Sequence, residues 1–489
     1  MEALTLWLDK VDGMVWGIPM LVLIMGVGLL LSFRLGFLQF RKLGIALKYA
    51  VNNEEGGAGD VSSFGALTTA LAATVGTGNI VGVATAIMAG GPGALFWMLV
   101  AACLGMATKY AEGLLAVKYR VVKEDGSFLG GPFYYIENGM GANWKWLAKL
   151  FALFGALAGA LGIGTTTQVN SITSAVGQLF DPNNQHIAFS IGGMQYSWAT
   201  TITSLIVTVA AIAVIIGGIQ RIASIAEKIV PTMMVIYVVA GVAVMLFNIT
   251  KLPGAIVTIV QGAFGIKAAA GGALGAFFLA LQKGIARGIF SNESGLGSAP
   301  IAAAAAQTHE CARQGLVSMT GTFLDTIVIC TMTGLSIVLT GAYEQGLEGV
   351  AVTIYAFGHG LPWPEIWGAV VLSISLALFA FTTILGWEYY AERCFDYLTN
   401  QNPKACIFYR WLYIFAVAVG PFLSLSFVWT FADITNGMMA FPNLIALFAL
   451  SGVVVKETKD FWRRKDSGEY DDGLAAAKAA KKAAKAAGK

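Results

Sequence analysis

The residues best suited to chemistry lie in two short runs, each embedded in apolar sequence. The first is Thr74-Val75-Gly76-Thr77-Gly78-Asn79, with two threonines, two glycines and an asparagine in six residues. The second, residues 281–298, carries Gln282, Lys283, Arg287, Ser291, Asn292 and Glu293 among four glycines. In hydrocarbon each unpaired backbone N–H or C=O costs several kcal/mol, so an irregular backbone there must face protein or a cavity. A helix interrupted at residues 74–79 exposes two kinds of group. The half starting near Gly78 and Asn79 offers free N–H donors and the positive end of its dipole, which suit a carboxylate. The half ending at residues 72–75 offers free carbonyls, which suit a small hard cation such as sodium. Threonine hydroxyls and the Asn79 side-chain oxygen are fit to complete its oxygen shell. The glycines let the chain turn and let a ligand approach. A carboxylate and a cation held side by side assist one another, a physical route to coupling. Close helix packing is the competing reading: Gly78 and Gly82, and Gly284 and Gly288, have the spacing of membrane-helix contacts. Packing alone gives Thr74, Thr77 and Asn79 no role.

The elements that must position these runs are membrane helices. Of 489 residues 57% are hydrophobic and 12% charged, against about 25% charged in soluble domains, and the mean hydropathy is +0.70. The sequence predicts an all-α integral membrane protein of eleven spans, near 15–33, 62–89, 92–117, 147–178, 195–217, 226–247, 272–306, 314–340, 364–391, 406–428 and 434–455. The first lacks a basic leader and a small-residue cleavage site, so it is expected to stay. Lys and Arg collect in alternate loops, which puts the N-terminus outside and the C-terminus in the cytoplasm, across the plasma (bacterial inner) membrane. Segments 253–265 and 349–360 are too short to span. The second and seventh spans are the broken ones, and four ordinary spans follow each. Units of five spans insert with opposite orientation, giving a 5+5 inverted repeat (spans 2–6 and 7–11), the plan of many secondary transporters. The chain then divides into 1–61, an N-terminal helix and cytoplasmic loop; 62–247, the first repeat; 248–455, the second; and 456–489, a charged tail able to attract anionic lipid.

Other polar residues inside spans need partners. Gln168 and Asn170 lie in the fourth, and Thr382 and Thr383 in the ninth, where Thr383 and Trp387 share a face. The intramembrane charges noted are Lys283, Arg287, Glu293, Asp325 and Glu388, and unpaired each is costly. Asp325 is expected to pair with Lys283 or Arg287, as a structural pair, a gate or a proton site. His309 is expected at the surface. Cys103, Cys311, Cys330, Cys394 and Cys406 have no metal-ligand spacing and are expected unpaired. A net charge of +3 is too small to imply nucleic acid. No catalytic triad, metal cluster or enzymatic phosphate loop is present, so neither an enzyme nor an organic cofactor is expected.

Four motifs carry a resemblance: Val75-Gly76-Thr77-Gly78-Asn79-Ile80-Val81-Gly82-Val83, Gly90-Gly91-Pro92-Gly93-Ala94-Leu95-Phe96-Trp97-Met98, Gly130-Gly131-Pro132-Phe133-Tyr134-Tyr135-Ile136, and Arg287 through Pro300. Over residues 10–455 the chain closely resembles the alanine or glycine:cation symporter family. Phe133 and Leu99 stand where that family usually has Met and Trp. The resemblance implies a LeuT-type fold with one extra N-terminal helix, and sodium-driven uptake of alanine, glycine or a similarly small amino acid. It implies sodium, as coupling ion, on the carbonyls of Ala72 and Val75 together with Thr382 and Thr383. It places the substrate carboxylate on the N–H groups of Thr77 and Gly78. Asn79 would lie beside it, on substrate or on a second ion. Gln168, Phe290 and Trp387 look like pocket positions, and Gly284 and Ser291 join the expected substrate set from the seventh span, whose carbonyls face the ammonium. Thr74 stands where a second sodium site would need a carbonyl, which leaves one ion or two open. The expected partners are the amino acid, sodium and membrane lipid, and no oligomeric state is set. Two other readings stay open: coupling to protons through Asp325 or Glu293, and a channel or sensor.

Overall fold

The computed structural model describes residues 2–471 and 473, apart from 55, 182–184, 192–193, 267–271 and 424. The helices that matter here are α1 (Ile18–Arg34), α2 (Ser63–Thr74), α3 (Gly78–Gly90), α4 (Gly93–Lys118), α5 (Lys145–Leu161), α6 (Thr166–Phe180), α7 (Trp198–Ile215), α8 (Gly218–Phe247), α9 (Ala273–Asn292), α10 (Ala299–Ala303), α11 (Cys311–Thr340), α12 (Glu365–Leu398), α13 (Pro403–Val419), α14 (Leu425–Ala449) and α15 (Ser451–Asp466). Among the described residues eight helical segments are long and apolar enough to cross a membrane, or up to ten if each of two bent pairs is one span. The apolar α1, at 17 residues, falls just short of that length. The segments expected not to span are the short helices Leu252–Ala263 and Val350–Gly360. Helix α8 exposes Val235 and Val239 outward, and α7 exposes Leu205 and Ile206, as helices facing lipid must.

Two antiparallel hairpins depart from an all-helical chain: Val121–Val122 with Phe128–Leu129, and Ile187–Ile191 with Met194–Ser197. The second occupies a loop that the sequence marked only by its lack of basic residues. The five cysteines are free thiols and His309 is exposed. Most of the Lys/Ala-rich tail lies outside the described residues. Its beginning is not loose, because α15 folds back on the bundle: Tyr110 and Thr458 share a hydrogen bond of 2.8 Å, and Lys118 meets Glu457 at 2.8 Å.

Both broken spans stop for local reasons. Ser62 caps α2 by accepting from the Gly65 N–H at 2.8 Å, which satisfies one of the free donors of a helix start. At its other end Thr74 donates to the Ala70 carbonyl at 3.1 Å, and Val75 leaves the helix with ψ 89. The chain bends by 51° before α3, whose first turn, Gly78–Gly82, has π geometry, a widening common at functional sites. Helix α9 ends at Asn292 because Glu293 adopts φ 56, and Gly295 and Gly297 follow at φ 89 and 84. The span expected over 272–306 is therefore a helix, a buried loop and the five-residue α10.

Candidate functional site

At the first break the backbone groups are met by neutral side chains. Asn79 Oδ1 accepts from the Gly76 N–H at 2.8 Å, and Gln168 Oε1 accepts from the Thr77 N–H at 3.3 Å. Thr383 donates to the Val75 carbonyl at 3.4 Å and to Phe379 of its own helix at 3.0 Å. Glycine at 76 is required by this approach, since a Cβ there would lie 2.4 Å from Thr383 Oγ1. The Thr77 hydroxyl is buried without a hydrogen-bond partner among the described residues. Such an orphan in a dry interior calls for a ligand or a rearrangement.

The second break is held by carboxyl side chains. Glu112, on α4, accepts from the Gly295 N–H at 3.1 Å and from Asn443 Nδ2 at 2.7 Å. Asn443 also donates to the Gly295 carbonyl at 2.9 Å and accepts a short bond from Tyr135. Glu293 accepts from Trp387 Nε1 at 2.7 Å and from Ser298.

The two breaks touch. A Cβ on Gly78 would lie 3.0 Å from Ser291 Cα and 3.4 Å from Phe290 Cδ1. Asp325, on α11, ties them together: its carboxylate accepts from Asn79 Nδ2 at 2.7 Å, Ser291 Oγ at 2.9 Å and Thr326 Oγ1 at 2.7 Å. This corrects the expected pairing of Asp325 with Lys283 or Arg287. Arg287 sits more than a turn before the end of α9 and makes a two-pronged pair with Asp433 of α14, at 2.9 and 2.8 Å. The Asp325 carboxylate is already filled by three donors, and the crossing of α9 with α14 gives Arg287 a bidentate match in Asp433.

A cavity of about 620 Å³ lies beside the breaks, lined by Thr85 of α3, Asn170 and Ser171 of α6, Arg287 and Trp429. The Arg287 guanidinium stands 5.4 Å from the Phe290 ring and 5.6 Å from Trp429, whose ring is 5.4 Å from Phe290. Phe290 thus separates this vestibule from Gly78. Elsewhere in the bundle, Lys109 Nζ and Gln314 Oε1 are buried without hydrogen-bond partners among the described residues, and both residues line a small cavity with Thr74 and Ser318.

Comparison with known proteins gives this geometry its context. The Sodium:alanine symporter family matches residues 1–474. The chain belongs to that family. It is 46% identical to the sodium/alanine symporter AgcS of Methanococcus maripaludis over 463 residues, 93% of this chain and 96% of the relative. It is 38% identical to the probable sodium/glutamine symporter GlnT of Bacillus subtilis, over 94% of this chain and 91% of the relative. Its fold is that of MhsT, solved with L-phenylalanine, at a TM-score of 0.53 and 14% identity, covering 82% of this chain and 99% of that one. The chain is thus a multi-pass membrane transporter of the amino-acid symporter class, not an enzyme.

In this symporter the structure brings together Val75, Thr77, Gly78, Asn79, Gln168, Phe290, Ser291 and Thr383. The others sit differently. Thr382 donates to the Leu378 and Phe379 carbonyls of its own helix, at 3.1 and 3.0 Å. Ala72 is buried in the last turn of α2, next to Ala73, against which Gly386 packs. Gly284 faces α4, where a Cβ would lie 2.3 Å from the Ala94 carbonyl. Trp387 is engaged by Glu293 at the second break. Asn79 has both ends of its amide occupied, by Gly76 and Asp325. Lys109 and Glu112 are not among the intramembrane charges that the sequence reading names. The signal was available: two charges three apart, on one face of an otherwise apolar span.

Proposed function

We propose that this chain is a sodium-coupled symporter that carries a small neutral amino acid, alanine and/or glycine, into the cell by alternating access. The observation that carries this reading is the contact of the two breaks, with the Val75 carbonyl and Thr383 hydroxyl on one side of Gly76 and the Thr77 N–H on the other. Sodium takes the Val75 carbonyl and Thr383 oxygen, with Ala72 and Thr382 supplying further oxygens once their own helix bonds open. The substrate carboxylate takes the Thr77 and Gly78 N–H groups, displacing Gln168 Oε1, and meets the orphaned Thr77 hydroxyl. Ser291 and Phe290 bound the other side, and the Phe290 ring leaves room for a small side chain only. The names of the relatives support sodium and an amino acid but divide between alanine and glutamine.

The same reading takes the eight long helices, the two bent pairs and α1 as eleven spans, α1 standing outside two inverted five-span units, 62–247 and 248–455. The N-terminus lies outside and the C-terminus in the cytoplasm. Uptake into proteoliposomes under imposed sodium or proton gradients, competed by glycine, D- and L-alanine, serine and glutamine, tests the proposal. Sodium-stimulated, saturable uptake inhibited by glycine and alanine is expected. Uptake driven by protons alone would move the coupling to the buried carboxylates, and current without a coupled solute would indicate a channel.

A further inference from the structure

A second large cavity, of about 420 Å³, lies between the end of α1 and α15 and takes no part in the site above. Its lining includes Arg34, Arg41, Lys42 and Lys459, against Asp466 as the single carboxylate among the lining residues. The contacts these cations make are to neutral groups. Arg34 donates to Ser451 Oγ at 2.6 Å, Arg41 donates to the Gly36 carbonyl at 3.2 Å, and Lys42 Nζ stands 3.8 Å over the Trp462 ring. Four cations lining one cavity beside a single carboxylate make a site for an anion, and guanidinium forks fit phosphate oxygens in particular.

The surroundings say which phosphate. Phe33, Phe37 and Phe40 are 64%, 36% and 54% exposed. Their rings form a continuous run, with centroids 5.0 Å and 6.4 Å apart. They interleave with Arg34 and Arg41 at the point where the apolar α1 ends, the place where a membrane helix meets the headgroup layer. A soluble phosphate has no use for that apolar surface, whereas an amphiphile with an anionic head fits both halves. We infer that this cavity binds the phosphate headgroup of an anionic phospholipid, with the acyl chains lying along Phe33, Phe37 and Phe40. The lipid bridges α1 to α15. Because α15 is tied to α4 through Tyr110–Thr458 and Lys118–Glu457, it also braces the helix that carries Glu112.

The test uses the full-length protein in a neutral detergent. Its thermal midpoint is titrated with phosphatidylglycerol, cardiolipin, phosphatidylcholine or inorganic phosphate, and retained lipid is counted by native mass spectrometry. The Arg41→Gln/Lys42→Gln protein is compared with wild type and with Arg221→Gln/Lys228→Gln, a pair of exposed cations elsewhere. Anionic lipid should stabilise wild type and the control alike, with about tenfold weaker apparent binding in the Arg41/Lys42 protein and a loss of the effect at high salt. An equal response in the Arg41/Lys42 protein, or equal stabilisation by phosphatidylcholine, would overturn the assignment. The same shift from inorganic phosphate would reassign the cavity to a soluble anion. Should the double variant fail to fold, Lys459→Gln, an exposed single change, carries the same comparison.

Discussion

The two helix breaks touch each other, and yet they are held in opposite ways. At the first, the backbone is satisfied by neutral amides and hydroxyls: Asn79, Gln168 and Thr383. At the second, a carboxylate grips the backbone N–H of Gly295, another grips Trp387, and positive-φ residues fix the turn. Each such hydrogen bond contributes about 1 kcal/mol net, and the second break gathers more of them, through Glu112, Asn443 and Glu293 together. The first break is therefore able to exchange its internal partners for ligand atoms at small cost. The second is built to stay as it is. On the proposed function one break receives the ligands, the other supports it, and Asp325 is the joint between them.

The largest effect that would break this contrast comes from the supporting side. A Cβ at Gly297 would add left-handed strain and lie 2.7 Å from Pro132 Cγ and 2.8 Å from Phe151 Cε2. Gly297→Ala should cost about 3 kcal/mol, read as a clear drop in thermal midpoint and folded yield. A fully stable, active Gly297→Ala protein would show that the second break is not rigid. Next comes the joint. Asp325→Ala removes the acceptor of Ser291 and Thr326 and one of the two that Asn79 Nδ2 finds on Asp325, at about 1–3 kcal/mol in all. Alanine uptake per folded molecule should fall about a hundredfold, and Asp325→Asn, which keeps one acceptor oxygen, should fall less. Uptake at the wild-type level in Asp325→Ala would remove the joint from the mechanism.

A smaller effect sharpens the receiving side. Gln168→Ala removes the internal acceptor that the substrate carboxylate must displace from the Thr77 N–H and should lower the KM for alanine about three- to tenfold, roughly 1 kcal/mol, with sodium activation unchanged. A shift in the sodium curve instead would move Gln168 to the ion. The smallest effect on transport concerns Trp387. Trp387→Phe keeps the ring but loses the bond to Glu293, so stability should drop by about 1–2 kcal/mol while selectivity among alanine, serine and glutamine holds. A changed selectivity would return Trp387 to the pocket wall.

Much of the receiving break was legible in the sequence, for a physical reason. A run holding two threonines, two glycines and an asparagine has no stable place in a membrane helix unless its backbone is used, and residues 74–79 are where the chain bends. The supporting break was less legible. That Glu293 takes a left-handed conformation depends on the partners Trp387 and Ser298, which no local pattern names. The partner of Arg287 could not be read either: several acids lie within reach in sequence terms, and only the crossing of α9 with α14 selects Asp433. Glu112 and Lys109 were passed over because their span read as ordinary in its apolar average. The sequence leaves Asn79 open between substrate and ion, and in the structure its amide links Gly76 to Asp325.

The central claim is that the cation sits where the Thr383 hydroxyl meets the Val75 carbonyl, apart from the carboxylate donors. Sodium activation of alanine uptake, measured in proteoliposomes for wild type and Thr383→Ala at saturating alanine, tests it most directly. The account predicts that Thr383→Ala needs about tenfold more sodium for half-maximal uptake, the equivalent of about 1.4 kcal/mol, with the alanine KM at saturating sodium within about twofold of wild type. Superimposable sodium curves for the two proteins would contradict it.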